Sequence, residues 1–212
     1  MFPPLYAIMN SRSLRTSELT FAGILAEAGV ELIQYRNKEI SSRRLLEIST
    51  ALVSHLHPRG VRFIVNDRPD VCTLSRAQGV HLGQEDLGVQ DARAILDESC
   101  WVGISTHSLD QVRDANATSA DYIAVGPIFP TRTKENSGPE VGLEFIAQAR
   151  ALTRKPLVAI GGITLATAAD VYGAGADSVA VASDLCNAAN PGDQAKAYFH
   201  IAEKNLPRAG TA

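Results

Sequence analysis

The sequence predicts an α/β protein, a single closed (β/α)8 TIM barrel. Three observations predict it. Short apolar runs alternate with amphipathic stretches eight times along the 212 residues, and parallel strands require such long crossovers. The segments LAEAGVELI, SRAQGVHL, TSADYIAV and YGAGADSVAV each place a helix end and a small residue before a strand, which suits a left-handed helix cap. No linker breaks the pattern, so one domain over 1–212, with a loose tail in the last few residues, fits better than a doubly wound open sheet.

The elements follow in chain order. LYAIM (Leu5–Met9) is an apolar run and opens the sheet; Leu19–Ala28 carries the first helical pattern. LIQY (Leu32–Tyr35) is the second strand, followed by an amphipathic helix at Ser41–Leu56. RFIV (Arg62–Val65) precedes a short helical stretch, Asp70–Arg76. GVHL (Gly79–Leu82) leads to Val89–Asp97, and VGI (Val102–Ile104) to Leu109–Asn116. YIAV (Tyr122–Val125) precedes Gly142–Leu152, LVAI (Leu157–Ile160) precedes Leu165–Gly173, and SVAV (Ser178–Val181) precedes Gln194–Asn205. Strands of four or five apolar residues bounded by polar turns suit a buried parallel sheet.

Composition narrows the function. The net charge is −3, from 20 basic and 23 acidic residues. A mildly acidic chain lacks the basic surface of a general nucleic-acid binder, so any anion site must be local. Cys72, Cys100 and Cys186 are widely spaced, which predicts buried reduced thiols rather than a zinc site. No apolar run approaches the ~20 residues of a membrane span. MFPPLYAIMN lacks the basic-then-apolar pattern of a signal peptide, so the expected location is cytoplasmic.

In a β/α barrel the chemistry sits at the C-terminal ends of the strands. Unusual polar residues recur there: IQYRNK, NDRPD, HLGQED, GISTHS, GPIFPTRTK, AIGGIT and VAVASD. Alternation puts Gln34 and Arg36 on one side of strand two and Tyr35 on the other. Each cluster alone reads as a turn or cap; seven on one rim do not. Arg36, Lys38 and Lys134 supply cations enough to oppose a pyrophosphate. Asp67 and Asp86, from adjacent strands, suit one shared Mg2+, an ion that takes few carboxylates and completes its shell with water and phosphate oxygens. The glycines of AIGGIT, with Ser183 and the amide of Ala182, suit a second, backbone-held phosphate. Among the histidines, His55 and His57 read as surface residues and His81 and His200 as structural; only His107 is placed to touch a substrate.

In this order the clusters resemble those of the thiamine phosphate synthases. The resemblance rests on IQYRNK, NDRPD, GVHLGQEDL, GISTHS, GPIFPTRTK, AIGGI and SVAVAS, and runs from strand two to strand eight. It implies a (β/α)8 barrel that joins a pyrimidine diphosphate to a thiazole phosphate and releases pyrophosphate with Mg2+ as cofactor. It also implies roles. Gln34, Arg36 and Lys38 would bind the pyrimidine diphosphate, helped by Asn66, Ser105 and Lys134. Arg36, Lys38, Ser105 and Lys134 would carry catalysis, and Asp67 and Asp86 would hold the metal. Thr131 and Thr133 would contact the thiazole phosphate; Gly162, Ala182 and Ser183 would bind its phosphate. The implied partners are these small molecules, with a homo-oligomer allowed and neither nucleic acid nor membrane involved. Asn37 stands where the family often has an acidic residue, and the segment ENSGPE departs from the pattern. A thiazole tautomerase, with His107 as acid–base, and a non-catalytic phosphate binder are the rival readings.

Overall fold

Every predicted apolar run forms a strand. In the computed structural model, which describes residues 2–131 and 139–206, the order is β1 Leu5–Asn10, α1 Glu18–Glu27, β2 Leu32–Arg36, α2 Ser42–Leu56, β3 Arg62–Asn66, α3 Pro69–Ser75, β4 Gly79–Leu82 and α4 Val89–Arg93. It continues with β5 Trp101–Thr106, α5 Leu109–Ala117, β6 Tyr122–Val125, α6 Gly142–Leu152, β7 Leu157–Ile160, α7 Ala168–Gly173, β8 Ser178–Val181, α8 Ser183–Cys186 and α9 Pro191–Asn205. The strands close in sequence order, with β8 pairing parallel to β1. The open sheet is thereby excluded, and the barrel is the fold. The expected tail lies outside the described residues.

Alternation divides the apolar side chains into two cores. Outward-facing residues such as Leu5, Ala7, Ile33, Tyr35 and Phe63 pack under the helices. Inward-facing Tyr6, Ile8, Leu32, Ile64, Tyr122, Ala124, Val158 and Ala180 fill the barrel. The N-terminal mouth is closed by rings: Phe2 stacks on Trp101 at 5.2 Å, and the Arg62 guanidinium lies over the same Trp101 ring, 3.8 Å from its centroid. The C-terminal mouth is left to polar residues.

Four helices start on side-chain caps. Ser17, Ser41, Ser108 and Asn190 accept the backbone N–H of Thr20, Arg44, Gln111 and Asp193, each cap contributing about 1 kcal/mol. Two helices are shorter than the pattern predicts. After Arg93 the α4 chain tightens, with Ile95 N–H bonding Ala92 O. Before α7, the Thr167 hydroxyl accepts from Thr164 N–H and holds a turn. The one-turn helix α8 was not expected, because four residues show no periodicity.

Two residue expectations are decided here. The three cysteines are free and buried, and burial raises the pKa of Cys72 and Cys186. A thiol reagent at neutral pH should therefore modify less than one equivalent in the native protein and all three after denaturation. His55 is not a surface residue: its ring is half-buried, and Nε2 lies 3.0 Å from where a Cβ on Gly23 of α1 would sit. The small glycine lets α1 and α2 approach, which the spacing of His55 and His57 did not reveal.

Candidate active site

Strand parity brings the predicted residues that the structure describes to one mouth. In β2, Gln34 points inward and donates through its amide nitrogen to Tyr6 Oη at 2.6 Å. Tyr35 points outward, where its hydroxyl donates to Glu18 and accepts from Asn37. Burial pushes that hydroxyl up to about 12. Asn37 also accepts from Glu39 N–H, so its side chain shapes the loop after β2. Arg36, half-buried at the end of β2, pairs with Asn10 in the register and forms no ion pair among the described residues.

The acidic pair meets at the ends of β3 and β4. Asp67 adopts φ 63°, a left-handed conformation that Asp tolerates better than most residues, with its N–H on His81 O at 2.8 Å. That turn aims its carboxylate at the rim, where Lys38 Nζ lies 2.7 Å away. Asp86 folds back to accept Gly83 N–H at 2.6 Å. Burial raises the pKa of Asp86, the Gly83 bond opposes the shift, and the neighbouring Asp67 carboxylate adds to it. Two carboxylates from adjacent strands are thus held side by side at a cost that a divalent cation would remove. The donor set of two carboxylates at an open rim fits Mg2+, which keeps several waters and ligand oxygens in its shell.

The other side of the mouth is built from backbone. The segment after β6 is stitched to the end of β7 by Ile128 N–H to Ile160 O at 2.9 Å and Phe129 N–H to Gly161 O at 3.1 Å. Gly161 and Gly162 have φ of 100° and 64°, and a Cβ on Gly162 would lie 2.5 Å from Pro130 O; only glycine allows that approach. Ala182 and Ser183 follow β8 at the start of α8, with Ser183 exposed. Thr131 is half-buried beyond Pro130. Thr133 and Lys134 lie outside the described residues, as does most of ENSGPE. His107, half-buried, sets Nδ1 2.5 Å from Gly126 O while its N–H donates to Gln111; it ties β5 to the segment after β6.

Comparisons with known proteins place the chain in a family. The family described as thiamine monophosphate synthase matches residues 5–185. A thiamine-phosphate synthase of Koribacter versatilis is 43% identical over 206 residues, covering 94% of this chain and 95% of its own. The chain belongs to the thiamine monophosphate synthase family. It is a transferase of that family. A second relative, the thiamine-phosphate synthase of Methanoculleus marisnigri, is 44% identical over 162 residues, 76% of this chain and 77% of its own. The solved thiamine phosphate pyrophosphorylase of Pyrococcus furiosus superposes with a TM-score of 0.87 at 31% identity, covering 96% of this chain and 97% of that one. A native KDPGal structure, at 16% identity and TM-score 0.75 with 97% of each chain covered, shares the fold alone.

For a thiamine monophosphate synthase, several residues at the mouth were given no substrate-side role by the sequence. Asn10, buried and inward on β1, stands level with Arg36; its position at a strand end was the available signal. Gln84 Nε2 donates to Ser105 O at 2.6 Å and clamps β5 from outside. His81 does more than fill space: Nε2 contacts Ser105 Oγ at 2.8 Å and Nδ1 contacts Tyr122 Oη at 3.0 Å. Its inward parity was readable from Val80 and Leu82 on either side.

Proposed function

We propose that the mouth joins an aminopyrimidine methyl diphosphate to a thiazole phosphate, giving thiamine phosphate and pyrophosphate. The observation that carries this reading is the presence at one rim of a guanidinium with no ion pair among the described residues, Arg36, and two neighbouring carboxylates, Asp67 and Asp86. The first suits a diphosphate, the second a divalent cation. Asp67 and Asp86 would hold magnesium, and the chemistry it supplies there is neutralisation of diphosphate charge.

The chain's own residues do the rest. Arg36 and Lys38 take the departing anion, so the bond from the methylene carbon to oxygen breaks with its electron pair leaving on pyrophosphate. Gln34 and Ser105 hold the pyrimidine, whose amino group spreads the positive charge left on the methylene. Asn66 and Lys134 assist on the diphosphate side. Thr131, Thr133, Gly162, Ala182 and Ser183 place the thiazole phosphate so that the thiazole nitrogen lone pair forms the new carbon–nitrogen bond. No protein nucleophile is needed, and catalysis comes from aligned substrates and fixed charge. The reaction would run in the cytoplasm; among the described residues no helix is long and apolar enough to cross a membrane.

The test supplies both substrates with Mg2+ and measures pyrophosphate and thiamine phosphate together. Equal yields support the reading; binding of both without product overturns it. Arg36→Ala should lower kcat/KM for the pyrimidine diphosphate by about 10²-fold, while KM for the thiazole phosphate changes little.

A further inference from the structure

Five polar side chains cross the floor of the mouth in one line. Gln34 Nε2 lies 2.6 Å from Tyr6 Oη, Tyr6 Oη 3.0 Å from Tyr122 Oη, Tyr122 Oη 3.0 Å from His81 Nδ1, and His81 Nε2 2.8 Å from Ser105 Oγ. Gln34, Tyr6, Tyr122 and His81 are all at least 94% buried by exposures of 2%, 1%, 0% and 6%. The rings hold one another in place. His81 stacks on Tyr122 at 5.5 Å, and Tyr6 meets Tyr122 edge-on at 5.8 Å. The line begins and ends on residues assigned above to the pyrimidine.

Its hydrogen bonds have one consistent direction. The Gln34 amide nitrogen only donates, so Tyr6 Oη accepts. The single Tyr6 hydrogen then points to Tyr122, and the Tyr122 hydrogen to His81 Nδ1. An accepting Nδ1 leaves the ring proton on Nε2, which donates to Ser105 Oγ. The Ser105 hydrogen is left to point into the mouth, and Gln34 Oε1 is left as an acceptor. Both tyrosine hydroxyls are buried, so reversing one bond would orphan a neighbour, and burial raises both tyrosine pKa values and keeps the protons in place.

We propose that Tyr6, Tyr122 and His81 are positioning residues that fix Gln34 as an acceptor and Ser105 as a donor toward the aminopyrimidine. This rests on the function proposed above. An aromatic amine beside a ring nitrogen offers one N–H and one lone pair, the complement of that pair. A pyrimidine carrying an oxo group in place of the amine presents the wrong polarity, and the buried line resists reversal to suit it. Selection for the amine thus originates in residues that do not touch the substrate.

Two measurements test this on the full chain. The first is independent of activity: 15N NMR of the histidine-labelled protein, with the His81 resonance assigned from His81→Gln. The expected result is the Nε2–H tautomer; an Nδ1–H tautomer or an imidazolium overturns the polarity. The second is kinetic. Tyr122→Phe removes one hydroxyl, and His81→Phe removes both ring nitrogens. Each should raise KM for the pyrimidine diphosphate about 10-fold, the scale of one lost buried hydrogen bond, with KM for the thiazole phosphate within twofold. In a Ser105→Ala background the same changes should add less than threefold, because they act through that hydroxyl. His81→Gln, which keeps a donor and an acceptor, should regain part of the loss. Full additivity, or equal effects on both KM values, overturns the proposal. Should His81→Phe fail to fold, Tyr122→Phe carries the cycle. Should the wild type release no pyrophosphate, the functional reading falls while the tautomer still decides the polarity.

Discussion

Asp86→Asn should reduce kcat by about 10²–10³-fold at saturating Mg2+ and at the same time stabilise the metal-free protein. The two effects share one cause. Wherever the Asp86 carboxylate is charged, it is charged against partial burial and against Asp67, and both raise its pKa. The amide keeps an oxygen to accept Gly83 N–H, the 2.6 Å bond of the native side chain, and removes the repulsion. A melting point higher by roughly 1–3 °C in EDTA is expected, equivalent to under about 1 kcal/mol for a chain of this size. The sign with pH follows. A raised carboxylate pKa penalises the fold only where the group is charged. The variant's advantage is therefore complete above the raised value, shrinks as pH falls through it, and is gone below the ordinary 3.8. Added Mg2+ should reverse the order, since ligand binding stabilises only the chain that binds it. Calorimetry with and without chelator, beside turnover, checks all three; unchanged turnover removes Asp86 from the site.

The second large effect is structural. Gly103→Ala should cost about 3 kcal/mol or more and lower the melting point by roughly 6–12 °C. Gly103 faces the barrel interior opposite Tyr122, and a Cβ there would lie 2.0 Å from Tyr122 Cζ. The ring cannot step aside, because it is fully buried between Tyr6 and His81. Activity should fall with stability as Tyr122 loses its bonds. Truncating the ring in Tyr122→Ala should reduce the added cost of Gly103→Ala to under about 1 kcal/mol. Denaturant titrations of the four proteins give that cycle; equal cost in both backgrounds would mean the clash is not with Tyr122.

The barrel was legible because its periodicities are local. Apolar tetrads such as LVAI and SVAV between amphipathic stretches need only neighbouring residues to be read, and the rim follows from where strands end. Gln34 and Arg36 on one face with Tyr35 on the other follow from the strand repeat of two, and Tyr35 does reach Glu18 outside. The floor of the mouth was not legible. Tyr6 and Tyr122 are 116 residues apart, and His81 meets Tyr122 across 41. Which inward rings touch depends on closure register, which no local pattern states. His81 therefore read as structural, and His55 as exposed, since a glycine on another helix decides its burial. The shortest elements escaped for a different reason: one turn is too little to repeat.

The Lys38–Asp67 pair has a consequence for how the first ligand arrives. With Lys38 closed on Asp67 at 2.7 Å, the two charges of that pair cancel at close range. A pair of that kind throws little field into solvent, so Lys38 does little to draw a polyanion in from afar. On the function proposed above, capture would work by exchange at close range: Lys38 would swap a carboxylate for a phosphate, and the released aspartate would be free for a cation. Metal and diphosphate would then help each other in, by the same factor in either order.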